Sequence, residues 1–297
     1  MRRGFVDTPD GQLHYIEHGR CDLPALVMIH LTPDSRTYVE TMLHLAGDGE
    51  MGSLRTISVD MPGYGDSARP PRPYESITDF ADAVARVPAA LGIERYHLLG
   101  HMTGANIAAE IAARYPMTIE RLVLSELVDW RMHTELQGSH ARRFPAPVPS
   151  LDGSHLLTLW KQYAPMLYEH MGEVTIDDAQ RRFLSLWLAT YAGPPFGTLG
   201  SSAEYYGAAG WAAAAAHVIE SQYLSDRLAE ISAPTLVLCA GEGVLRTGAD
   251  PRLDSDRLCS LLLRGDLMTV PDVSHIWAHT RPAIFAKTVA SFLQAEN

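Results

Sequence analysis

Tyr96-His97-Leu98-Leu99-Gly100-His101-Met102-Thr103-Gly104-Ala105-Asn106-Ile107 changes character part-way along. Tyr96 to Leu99 is a short apolar run of the length a buried strand takes, and it runs into Gly100. From Thr103 to Tyr115 the text is rich in Ala and Ile, as a packed helix is. A strand passing through a glycine-bounded turn directly into a helix is half of a βαβ unit. Strands alternating with helices give right-handed crossovers and a mostly parallel sheet.

The alternation continues on both sides. Leu13 to His18 alternates as a strand does. Ala25 to His30 and Arg55 to Asp60 are further short runs, bounded by Pro24, Pro33 and Pro62-Gly63. Ile77 to Leu91 has helical spacing with Ser76 as its N-cap. Arg121 to Leu124 is the next strand. After Trp130 the pattern breaks: from about Met132 to Tyr223 the text is helical and aromatic, with Trp160, Tyr163, Tyr168, Trp187, Tyr191, Tyr205, Tyr206 and Trp211, the loop Gly193-Pro194-Pro195 and the alanine run Ala212 to Ala216. Strands return at Thr235 to Cys239 and Leu267 to Val270, and a last helix is expected over Pro282 to Leu293. The expected organisation is an α/β core of residues 1–130 and 224–297 with a helical cap inserted over 131–223. Most cap aromatics read as helix packing. Some are expected to line a pocket, because ligands bind beyond the C-terminal edge of such sheets.

Composition narrows the function classes. In 297 residues, 46% are hydrophobic and 20% charged, an ordinary globular balance. The formal net charge is −11, and no Lys/Arg-rich run follows Met1-Arg2-Arg3. Nucleic-acid binding, which needs clustered cations, is not expected. No apolar stretch approaches the roughly 18 residues of a membrane span, and Met1 to Thr8 turns polar too soon for a signal peptide. Cys21, Cys239 and Cys259 match no disulfide or metal framework. The expectation is a cytoplasmic protein with free thiols, Cys239 being core packing. The oligomeric state stays open, a homodimer included.

Three motifs then carry a resemblance. Asp60-Met61-Pro62-Gly63-Tyr64-Gly65-Asp66-Ser67 resembles the D-x-P-G-x-G-x-S loop of the α/β-hydrolase superfamily. Gly100-His101-Met102-Thr103-Gly104 resembles its nucleophile elbow, G-x-S-x-G. Pro271-Asp272-Val273-Ser274-His275 resembles the segment with its catalytic histidine. Order and spacing agree over nearly the whole chain. The resemblance implies an α/β-hydrolase fold with a mostly parallel central sheet flanked by helices.

The site departs from the family pattern. The elbow lifts one side chain above the sheet, and here that side chain is Met102, whose thioether has no proton to lose and cannot serve as an acyl acceptor. The family often places an aspartate after the strand ending near Cys239; Gly241-Glu242-Gly243-Val244 puts Val244 there. Other members, haloalkane dehalogenases among them, carry a carboxylate after the strand before the cap. Glu126 matches that position, with Asp129 close behind. Glu126 is the candidate partner for His275, unless it caps the cap helix or pairs with an arginine such as Arg131; Asp129 is the alternative partner. Asp250 and Asp254 are more distant alternatives. The resemblance puts the oxyanion loop at His30-Leu31-Thr32-Pro33, with Leu31 where the family has glycine. The backbone N–H groups of Thr32 and Thr103 are the expected donors.

His275 is the surviving catalytic candidate, able to move protons near neutral pH. Leu31, His30, His101, Met102, Trp130 and Trp277 are the candidate substrate-binding residues, although His30 and His101 also match positions that are structural histidines in the superfamily. No spacing calls for a metal, and the glycine-rich text serves turns rather than phosphates, so no cofactor is expected. Three functions remain. The first is non-covalent acid–base catalysis through His275 on a small, mainly apolar or aromatic carbonyl compound, as in lyases, decarboxylases or isomerases. The second is hydrolysis of an ester, lactone or epoxide by water that His275 activates directly. The third is a non-catalytic binding protein.

Overall fold

A computed structural model describes residues 1–33, 35, 38–46, 54–132, 147–171, 176, 179–180, 183–184, 187, 211, 214–220, 222, 224–241 and 251–295. Its frame is an eight-stranded sheet in the order β1-β2-β4-β3-β5-β6-β7-β8. The strands are β1 (Arg2–Thr8), β2 (Gly11–His18), β3 (Ala25–Ile29), β4 (Arg55–Val59), β5 (Tyr96–His101), β6 (Ile119–Ser125), β7 (Thr235–Ala240) and β8 (Gly265–Val270). The pairs β1–β2 and β2–β4 are antiparallel, and every pair from β4 through β3, β5, β6 and β7 to β8 is parallel.

The central strands read as unbroken apolar runs because helices cover both their faces. All residues of β3, β5 and β7 are buried. Side chains of β3, β5, β6 and β7 alternate between two cores. Val27, Ile29, Leu98, Leu122, Leu124 and Val237 enter one, and Leu26, Met28, Leu99, Val123, Leu236 and Leu238 the other. The first core is closed by α2 (Ile77–Ala90), α3 (Thr103–Arg114) and α7 (Pro251–Ser260); the second by α1 (Val39–Ala46) and α9 (Pro282–Leu293). Each such Leu or Ile contributes roughly 1.5–3 kcal/mol by burial. Ser76 caps α2 with Asp79 reaching back, a capping box, as the spacing implied.

Between β6 and β7 the described elements are all helical: a 3-10 turn (Trp130–Met132), α4 (Ser154–Met171), α5 (Ala214–Glu220) and α6 (Leu224–Leu228). The short α8 (Trp277–Thr280) precedes α9. Three of the aromatics expected to pack do so, Trp187 among them. Trp160 stands edge-on to Phe183, ring centroids 5.1 Å apart. Trp211 is 1% exposed and donates from Nε1 to the Pro62 carbonyl at 2.9 Å. The side chains of Tyr163 and Tyr168, together with Tyr191, Gly193-Pro194-Pro195, Tyr205 and Tyr206, lie outside the described residues, as do Ala212 and Ala213 of the alanine run. Among the described residues no helix is long and apolar enough to cross a membrane. Cys239 is buried in β7, and all three cysteines are free thiols.

Candidate active site

The C-terminal ends of β3, β5, β6, β7 and β8 share one edge of the sheet, since these strands run parallel. That edge carries Leu31 and Thr32, Met102, Glu126 and the loop leading to His275. Met102 stands alone between β5 and α3, with φ 50° and ψ −116°. A non-glycine residue held there costs about 1–3 kcal/mol and persists only where its surroundings enforce it. They do: its N–H donates to the Ser125 carbonyl at 2.9 Å, and its own carbonyl accepts from Ala105 N–H at 2.8 Å and Asn106 N–H at 3.3 Å. The turn is tight enough that a Cβ on Gly100 would lie 2.2 Å from the Gly104 carbonyl oxygen. The Met102 side chain is half-buried and packs with Val128 and Trp130.

The oxyanion loop differs from the expectation of two open backbone donors. Thr32 N–H donates to Thr103 Oγ1 at 2.8 Å, and Thr32 Oγ1 donates to the same oxygen at 3.1 Å. One donor is therefore occupied by a side chain that the sequence reading valued only for its backbone. The other, Thr103 N–H in the first turn of α3, is one of the amides a helix start leaves without an intrahelical acceptor.

Accessible surface divides the remaining candidates. His30 and His101 are both 0% exposed. His30 Nε2 accepts from Met61 N–H at 3.0 Å, which leaves Nδ1 as the donor to the Leu31 carbonyl at 2.7 Å. His101 Nδ1 bonds Ser125 Oγ at 3.0 Å, and its ring meets Phe285 edge-on. Trp277 is also 0% exposed, T-shaped on Phe285 at 4.7 Å. All three are packed among core groups in this structure. Leu31, Thr32, Met102 and Trp130 are half-buried and retain surface, while Thr103 is 6% and His275 9% exposed.

Neither carboxylate offered as the partner of His275 hydrogen-bonds to it. Glu126, held at φ 55° and fully buried, accepts from Ala240 N–H at 2.9 Å and Trp277 Nε1–H at 3.2 Å, both on Oε1. It ties the end of β6 to β7 and to the helix just past His275, reaching the histidine's segment through Trp277 rather than through the imidazole. Burial pushes its carboxyl up to about 8, against the smaller opposing pull of those two donors. Asp129 is paired with Arg257, whose Nη2 lies 2.9 Å from its Oδ2. Asp254 accepts Asp129 N–H at 3.3 Å and lies 3.7 Å from Arg257, so it belongs to the same ion-paired group. Glu242, Gly243, Val244 and Asp250 lie outside the described residues.

His14, Asp60 and Asp66 cluster closely enough to hold a metal ion. Arg3 already supplies the cation there: Nε donates to His14 Nε2 at 3.0 Å and Nη2 contacts Asp66 Oδ2, while His14 Nδ1 and Asp60 Oδ2 are 2.8 Å apart. The first motif thus works as a clasp between β2 and the loop after β4, with Ser67 Oγ donating to the Asp60 carbonyl at 2.6 Å.

The profile of the alpha/beta hydrolase family matches residues 26–288. The chain belongs to the alpha/beta hydrolase family. This α/β-hydrolase superposes on a hydrolase from Pseudomonas aeruginosa PA01 with a TM-score of 0.73, at 21% identity, over 99% of this chain and 98% of that one. At that identity the likeness speaks for the fold. Its sequence is 26% identical to the sn-1-specific diacylglycerol lipase ABHD11 of Mus musculus, over 93% of this chain and 82% of the lipase. It is 27% identical to the putative carbamate hydrolase RutD of Agrobacterium fabrum, over 56% of this chain and 64% of RutD, so the matched stretch spans just under two thirds of that relative's length. Family membership also explains the strained turn: α/β-hydrolases raise one side chain at this point above the sheet edge.

Proposed function

We propose that this α/β-hydrolase acts without a covalent intermediate, His275 moving a proton to or from a small, mainly apolar carbonyl compound bound at the sheet edge. The observation that carries this reading is Met102, at the position where the family's nucleophile stands. A thioether there cannot form an acyl-enzyme, yet it is held in the strained conformation of the elbow and packs with Val128 and Trp130. Leu31, Met102 and Trp130 give the ligand an apolar surface. Removing water from such a site strengthens every polar interaction left inside. Elimination, decarboxylation and isomerisation all suit one proton-moving group beside an apolar floor. Hydrolysis by water activated at His275 is the second reading; the names of its relatives, a lipase and a putative carbamate hydrolase, favour it.

The test replaces Met102 with serine and presents small activated esters, in parallel with Met102→Ser/His275→Ala. The expected outcome is a burst of acyl-enzyme chemistry in the single variant that the double variant lacks. A folded Met102→Ser protein with no burst means that His275 is not placed for proton transfer at the elbow, and the binding-protein reading then takes its place. Turnover of the natural substrate in water enriched in heavy oxygen separates the two catalytic readings: label in the product selects hydrolysis, and its absence selects the lyase or isomerase type.

A further inference from the structure

Thr103 Oγ1 accepts from both Thr32 N–H (2.8 Å) and Thr32 Oγ1 (3.1 Å). A hydroxyl oxygen has four directions, one to Cβ, two for lone pairs and one for its own hydrogen. The two bonds from Thr32 fill both lone pairs. The Thr103 hydrogen is the one direction left, and among the described residues nothing accepts it. Two incoming donors polarise the O–H and make it a stronger donor outward. It sits on the first residue of α3, where an unsatisfied backbone N–H and the positive end of the helix already favour negative charge. It also directly follows Met102, whose side chain stands at the tip of the turn.

Resting on the proposed function above, we propose that the Thr103 hydroxyl is a catalytic residue that donates to the substrate's carbonyl oxygen, in the role a bare Thr32 N–H would otherwise fill. The Thr32 amide is not lost to the site; its polarisation is relayed through Thr103 Oγ1. The second donor is the Thr103 N–H, so one residue supplies both hydrogen bonds to the developing oxyanion. The competing account is that Thr103 is a peg, fastening the Thr32 loop to α3 and blocking the donor beneath it. The two accounts give opposite signs when the hydroxyl is removed.

The experiment uses the full chain carrying Met102→Ser, with 4-nitrophenyl acetate as probe, and adds Thr103→Val or Thr103→Ser. The expected result is that Thr103→Val lowers kcat by about a hundredfold, the usual range for loss of one oxyanion donor, with KM little changed. Thr103→Ser restores the rate to within about threefold. If the valine variant does not fold, Thr103→Ala is read in its place. An unchanged or faster valine or alanine variant overturns the proposal, because the freed Thr32 amide then serves better than the hydroxyl. A Met102→Ser parent that folds but shows no His275-dependent burst overturns the functional reading itself, and the Thr103 proposal with it. The two failures are distinguishable, since the first occurs in an active parent and the second in an inactive one.

Discussion

Gly104→Ala will destabilise the protein by about 3 kcal/mol, although alanine in place of glycine inside a helix ordinarily gains close to 1 kcal/mol. The two effects oppose each other, and geometry decides between them. A Cβ on Gly104 would lie 2.3 Å from the Ile29 carbonyl oxygen and 2.6 Å from that of His30. Both contacts are backbone of a central strand end, which cannot swing aside as a side-chain tip can. Relief requires α3 to lift from β3, and this opens the core along Val27, Ile29, Ala105 and Ala108, which is packed without slack. The comparison substitution is Gly92→Ala. A Cβ there meets nothing within 4 Å, but the residue has φ +70°, so it costs only the left-handed penalty of roughly 1–2 kcal/mol. Urea denaturation of both variants beside the parent reads the difference. A Gly104→Ala midpoint no lower than that of Gly92→Ala would show that α3 is not seated on β3 at this distance. The Thr32 to Thr103 bond, which depends on the same seating, would then lose its footing too.

The sheet is legible in the sequence where both faces of a strand are buried. Ala25–Ile29 and Thr235–Ala240 are nearly continuous apolar runs, Tyr96–Leu99 is a short one broken only by His97, and Arg55–Val59 alternates; each forms the strand its text implies. The edges are not legible. In β1 only Val6 is buried, so no apolar pattern announces that strand and it passes unnoticed; β8 has no fully buried position, and its readable part, Leu267 to Val270, misses the first two residues. Helix α7 opens Pro251-Arg252-Leu253-Asp254 and is too charged to show a stripe. The site divides the same way. A motif places Met102, because Gly100 and Gly104 are backbone requirements and those leave a mark in sequence. It cannot place Glu126, whose direction is set by a positive φ that no neighbouring residue betrays. Nor can it show the Thr32 to Thr103 bond, which exists because two segments 71 residues apart approach within hydrogen-bonding distance. A threonine right after the elbow tip was the available signal, and only its backbone was used.

Glu126→Gln will remove a pH dependence that the parent carries. The Glu126 carboxyl is raised from 4.5 to about 8 by burial, with no cation contributing to the shift. A folded-state value above the unfolded one means that the native protein holds a proton the unfolded chain gives up. The stability this group contributes is therefore complete below about 4.5 and is lost as the pH rises through about 8. The slope is roughly 1.4 kcal/mol per pH unit and the total is on the order of 5 kcal/mol. Glutamine keeps an oxygen to accept Ala240 N–H and Trp277 Nε1–H, sets its amide nitrogen where Oε2 has no partner among the described residues, and does not titrate. Measured by urea denaturation from pH 5 to pH 9, the variant should gain on the parent steadily and level off above 8. High salt should leave the difference nearly unchanged, because a fully buried group is poorly screened. The same curve decides what Glu126 does at the site. A carboxylate paired with a His275 imidazolium would have its value pulled below 4.5, and Glu126→Gln would then lose stability at neutral pH. A difference of that sign would return Glu126 to the role of charged partner to the histidine. The expected sign instead leaves it an uncharged tether between β6, β7 and Trp277, and His275 then moves its proton without Glu126 as a counter-charge.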